Sequence, residues 1–196
     1  MIAEDINLLI KRGKWNELVK IGEPAVEPLL ASLSHIKFSS LRLALAALGD
    51  LRDQRANEVF VVFLESSNRF IACSAAVGLG KIFHPASVIP LIRALKNPHK
   101  CVRRNAAMAL GKMGDSSATD ALIGCLTHRD KNLQYEAALA LIRIDNAKAL
   151  ISLIGYILAR KSFWLTDFKD KIIRLFRLNK VQSMAISVHD RYNWRN

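Results

Sequence analysis

The residues of this chain able to do chemistry are five histidines, His35, His84, His99, His128 and His189, three cysteines, Cys73, Cys101 and Cys125, and scattered carboxylates. A metal site would need several of them converging, as when a helix carries a second ligand one turn after the first. No histidine here has a carboxylate or cysteine at i+3 or i+4, and no two cysteines stand in C-x-x-C spacing. The sequence contains no P-loop, dinucleotide fingerprint or nucleophile elbow. Glu23 and Glu27 are one helical turn apart and could form an acid–base pair. They fall in the first turn of an expected helix, where negative charge meets the helix dipole favourably. The expectation is a non-enzymatic protein with no catalytic residue, no metal and no cofactor.

Charge gives the one compositional hint of a partner. The formal net charge is +12 over 196 residues. Between Glu65 and Asp115 there is no acidic residue, while Arg69, Lys81, Arg93, Lys96, Lys100, Arg103, Arg104 and Lys112 fall in that stretch. A second acid-free stretch holds Lys171, Arg174, Arg177 and Lys180. With 51% hydrophobic residues the chain is expected to be ordered rather than disordered. No apolar run approaches the ~20 residues of a membrane span. Glu4 and Asp5 near the start argue against a secretory leader. An odd number of cysteines at small or apolar positions reads as reduced, packed thiols. Together these point to a cytoplasmic location.

Positions are set by a repeat of 31 residues: Gly49, Gly80 and Gly111 are preceded by Leu48, Leu79 and Leu110, with Leu141 continuing the leucine column. Ala44, Ala75, Ala106 and Ala137 form another column, and Leu29, Phe60, Leu91, Leu122 and Leu153 a third. A fourth runs Ala25, Ala56, Ser87, Ala118 and Ala149. Such a period is the mark of a solenoid. In one unit, Val102, Ala106 and Leu110 predict a first amphipathic helix that Gly111 to Gly114 should end. Asp115 and Ser116 then offer N-caps for a second helix carrying Ala118, Ala121, Leu122 and Leu126. The reading is an all-α solenoid of about six stacked hairpins, a single domain. Residues 1–38 form an N-terminal cap and first repeat, its first helix around Ile6 to Leu18 off-register. Residues 39–158 form four repeats starting near Ser39, Phe70, Cys101 and Asn132. Residues 159–196 form a degenerate capping hairpin and tail, rich in aromatics such as Trp164.

The segment VRRNAAMALGKMGDSSATDALIGCL, Val102 to Leu126, resembles the HEAT-like repeats named after the phycobilisome (PBS) lyases. IGEPAVEPLLASL, Ile21 to Leu33, looks like the second half of such a unit. The resemblance covers roughly Ile21 to Leu158. It implies an armadillo-like superhelix whose second helices line the concave side. It also raises a role as a bilin lyase or phycobiliprotein chaperone subunit, although the repeat occurs in proteins of unrelated function. Similar repeats in deoxyhypusine hydroxylase bear His-Glu pairs as iron ligands, and this sequence has none.

The register then sorts the charges. Lys81, Lys112 and Arg143 share a column at first-helix ends, where cations offset the dipole. Arg69, Lys100 and Lys131 share one at first-helix starts and, with Arg103 and Arg104, form a candidate anion or nucleic-acid edge. The concave face falls to second-helix positions not needed for stacking: Glu58, Val62 and Glu65, then Ile89, Arg93 and Lys96, then Asp120, Gly124 and Thr127, then Ile151, Gly155 and Leu158. Its mixed charge and apolar members fit a protein or peptide better than a uniformly basic nucleic-acid groove. Val62, Ile89, Arg93 and Lys96 are the candidate contacts of a scaffold that binds a protein or peptide. Nucleic-acid binding through the basic edge, extended by Arg174, Arg177 and Lys180, is the alternative.

Overall fold

The computed structural model describes residues 2–159, with side-chain surroundings for residues 5–156. Its first unit, Met1–Asn146, is a stack of helices. Four of them set the frame: α4 (Phe38–Leu51), α6 (Arg69–Ile82), α8 (Lys100–Met113) and α10 (Lys131–Ile144), each of 14 residues. They begin one residue before the starts read from the sequence.

Side-chain caps fix the starts of α6 and α10. Asn68 Oδ1 accepts the N–H groups of Phe70 and Ile71, and Asp130 Oδ1 those of Asn132 and Leu133. At the other end Arg52, Phe83, Gly114 and Asp145 adopt left-handed backbone, with φ of 55, 58, 69 and 49°. The N–H of Phe83, Gly114 and Asp145 each returns to a carbonyl four residues back. Only one of these terminators is glycine, so the other three tolerate a conformation that costs an L-residue roughly 1–2 kcal/mol.

The glycine column has a different use from the one expected. Gly49, Gly80 and Gly111 lie inside α4, α6 and α8 rather than at their ends. A Cβ on Gly111 would sit 2.5 Å from Ala140 Cα; on Gly80 it would sit 2.8 Å from Ala109 Cβ. On Gly49 it would press against Gly78 Cα at 3.2 Å. The missing side chains let consecutive first helices touch, α4 on α6, α6 on α8 and α8 on α10. Ala44, Ala75, Ala106 and Ala137 are wholly buried alongside.

In the first unit each second helix opens with a 3-10 turn. Gln54–Ala56 leads into α5 (Asn57–Leu64), Pro85–Ser87 into α7 (Val88–Ala94) and Ser116–Ala118 into α9 (Thr119–Cys125). The caps again share one register: Asp53 accepts from the Arg55 N–H, His84 Nδ1 from Ala86 and Asp115 from Ser117. His84 is thus a capping residue, and Ser116 falls inside the turn. Hydrogen bonds from Arg55 hold the Asp53 carboxyl below the usual carboxylate range, and those from Ser117 do the same for Asp115. Ser87, the lone serine of an alanine column, is buried and donates its hydroxyl to Asn57 Oδ1. These helices pack chiefly on the first helix that follows them, α5 on α6, α7 on α8 and α9 on α10. Phe60, Leu91 and Leu122 fill those seams, fully buried.

The N-terminus differs from expectation. One helix around Ile6 to Leu18 is instead two, α1 (Ile2–Lys11) and α2 (Trp15–Ile21), parted at Gly13 with φ of 68°. α3 (Val26–Ser32) follows a turn containing Pro24. The second unit, Ala147–Asn196, begins inside the last of the four expected repeats. Its described part is α11 (Ala147–Ala159), in which Ala149 and Leu153 are buried and Ile151 is exposed. The expected C-terminal hairpin, with Trp164, Lys171, Arg174, Arg177 and Lys180, lies outside the described residues.

Candidate partner-binding surface

Second-helix spacing decides which side chains face water. Phe60 and Leu64, Leu91 and Leu95, and Leu122 and Leu126 are each four apart and buried. The opposite positions therefore face water: Glu58, Val62 and Glu65 around α5, Ile89, Arg93 and Lys96 around α7, and Asp120, Gly124 and Thr127 around α9 are all exposed. The structure thus brings Val62, Ile89, Arg93 and Lys96 onto one stripe, on helices that touch. Two of its members are large and apolar, Val62 at 71% exposure and Ile89 at 55%. Covering such a side chain is worth about 1.5–3 kcal/mol, so an apolar partner surface would be stabilised here. Glu58 of α5 and Arg93 of α7 are both exposed, so the stripe carries charge of both signs.

The basic edge is only partly assembled. Arg69, Lys100 and Lys131 are exposed at three successive first-helix starts. The Arg69 guanidinium lies over the Phe70 ring, 4.5 Å from its centroid. Arg103 does not belong to the edge. It is 8% exposed, its Nη1 donates to the Asn97 and Pro98 carbonyls at 2.7 and 2.9 Å, and its Nη2 pairs with Asp130 at 3.5 Å. Gln134, one repeat later, does the same work by donating to the His128 carbonyl. Arg103 ties down the loop between two repeats. Arg104 is half-buried, and among the described residues its Nε has no acceptor.

Glu23 and Glu27 have a partner beyond the helix dipole: Arg55 of the next repeat donates to both, at 2.9 and 3.2 Å, and to Asp53. Among the described residues no group of three or more histidines, cysteines or carboxylates is placed to hold a metal. His99 Nε2 lies 3.2 Å from the Ser67 carbonyl, and His128 Nδ1 accepts from Asp130 N–H. Burial, and then the neighbouring Cys101, push the Cys73 thiol up to about 12. Burial pushes Cys125 up to about 11, against the pull of Arg103. Both are protonated at neutral pH and make poor nucleophiles.

Two features escaped the sequence. Trp15, Ile10 and Ile36 line an open concavity with Lys11, Arg12 and Lys37. Arg52 lines a cleft with Lys81, Lys112 and Arg143. No described helix is long and apolar enough to cross a membrane.

Comparison with known proteins agrees with the helical repeat. A family model described as HEAT repeats matches residues 88–165. No curated protein matches the chain. Among solved structures, the complex of CpcE and CpcF of phycocyanin lyase from Nostoc sp. PCC7120 matches with a TM-score of 0.58 and 21% identity, over 83% of this chain and 66% of that chain. At that identity the likeness speaks to the fold alone. The chain is an all-α helical-repeat protein whose residues 88–165 match HEAT repeats, and it shares its fold with the phycocyanin lyase complex.

Proposed function

We propose that the chain is a non-catalytic scaffold that binds a protein or peptide partner through the exposed stripe of its second helices. The observation that carries this reading is the pair Val62 and Ile89, large, apolar and mostly exposed on adjacent helices beside Arg93 and Lys96. A repeat array displays such a stripe without needing it for folding. That the solved neighbour is a complex of two proteins supports a protein partner. Nucleic acid is less well served, because Arg103 is drawn into the interior. The test is affinity capture with the wild-type chain, an Arg93→Glu/Lys96→Glu variant and a Val62→Asp/Ile89→Asp variant. A protein retained by the wild type and lost from both variants supports the stripe. Retention unchanged by either variant overturns it.

The phycocyanin lyase complex among the solved neighbours favours one further reading, a bilin lyase or phycobiliprotein chaperone subunit. Incubation with an apo-phycobiliprotein and free bilin would test it. Covalent chromophore absorption no greater than without the chain would end that reading.

A further inference from the structure

The first helices end in a row of cations. Arg52 follows α4, Lys81 and Lys112 stand in the last turns of α6 and α8, and Arg143 in that of α10. The four line one open cleft with Gly80, Gly111, Gly114 and Phe83, and no carboxylate is among the lining residues. Asp50 pairs with Lys81 at 2.5 Å. Among the described residues no ion pair involves Arg52, Lys112 or Arg143. The helix dipole accounts for one cation per helix end. It does not account for their convergence, since like charges around one cleft repel and an anion placed among them removes that cost.

We propose that this cleft binds an extended acidic segment of a partner protein, one carboxylate to each rung of the ladder. Gly114 is exposed with open space where a Cβ would stand, so a peptide backbone can come close there. Phe83, 46% exposed, adds an apolar contact. Spacing selects the conformation. Packed helices lie ~8–10 Å apart, so successive rungs do too. A polyproline II segment returns the same face every third residue, about 9.3 Å along its axis. An α-helix returns a face after about 5.4 Å and a strand after about 6.7 Å, both out of step with the rungs. A nucleic-acid duplex carries one charge per ~1.7 Å, far more than four cations answer. The cleft is built from first-helix ends and does not rest on the second-helix stripe.

The test uses the full chain and a fluorescein-labelled peptide of about twelve residues, with glutamate at every third position and proline and serine between. A second peptide of the same composition carries its glutamates in one block. Fluorescence anisotropy should show the spaced peptide binding about tenfold more tightly than the blocked one. Its affinity should fall as salt rises from about 50 to about 200 mM. Lys112→Glu with Arg143→Glu should abolish binding. Lys112→Gln with Arg143→Gln, the milder pair, should weaken it about tenfold with an unchanged circular-dichroism melt. Lys11→Glu with Lys20→Glu, matched in charge, should leave it within about twofold. The proposal is overturned by no binding at low salt, by equal binding of the two peptides, by equal damage from the two glutamate pairs, or by a short DNA duplex binding better than the spaced peptide.

Discussion

The first-helix layer and the second-helix stripe are built from the same repeat but to opposite rules. In the layer the columns where helix meets helix repeat one residue type: Leu48, Leu79, Leu110 and Leu141, or Gly49, Gly80 and Gly111. In the stripe each holds a different one: Glu58, Ile89 and Asp120, or Val62, Arg93 and Gly124. The first set is buried and the second exposed. Sameness within the chain marks where one helix must fit the next. Difference marks where the fold imposes nothing and a partner is free to.

Breaking the layer should cost most. Arg103→Ala removes the counter-charge of a buried carboxylate and orphans two carbonyls, so urea unfolding should show a loss of about 3–5 kcal/mol. Arg103→Gln should lose distinctly less, because Gln134 serves the equivalent loop one repeat on. Equal losses would mean that the charge, not the loop bonds, is what matters. Next comes Gly111→Ala, whose methyl would meet Ala140 Cα at 2.5 Å. Overpacking of this kind costs about 1–3 kcal/mol. The same change in the stripe should run the other way. Gly124 has no atom within 4 Å of its added Cβ, so Gly124→Ala should stabilise α9 by roughly 0.5–1 kcal/mol in the same measurement. Opposite signs at two glycines of one repeat would be the sharpest form of the contrast.

The register and the phase of the second helices were legible because both rest on strict spacing. Phe60, Leu91 and Leu122 could face only inward, which left Val62 and Arg93 facing out. What stayed hidden was the cause behind a residue. A glycine near a helix end serves either a left-handed backbone or a close neighbour, and the sequence does not show the neighbour; Gly111 proved to be the second kind. Arg103 was read as exposed because it is charged. Its column also holds Leu41, Ala72 and Gln134, all buried, and that was the available signal. Arg52 was missed because it occupies the left-handed position after a helix and joins Lys81, Lys112 and Arg143 only in space.

The smallest effect concerns two thiols, Cys73 in α6 of the layer and Cys125 in α9. Their raised pKa values, about 12 for Cys73 and about 11 for Cys125, keep them protonated when an unfolded thiol, near 8.5, has begun to ionise. The native state then holds protons that the unfolded chain has released. Stability should therefore fall as pH rises above about 8.5 towards those values, and be untouched by these groups below it. Iodoacetamide at pH 8 should label both slowly in the native chain and quickly in urea; equal rates would contradict their burial.

The separation of the two regions is tested most directly by photo-crosslinking. A benzoylphenylalanine placed singly at position 62, 89 or 20, in the cells that make the protein, reports what each site touches. Adducts to one common protein from positions 62 and 89, and none from exposed position 20, are the predicted result. Silence at 62 and 89, or equal adducts from position 20, would contradict a partner-binding stripe.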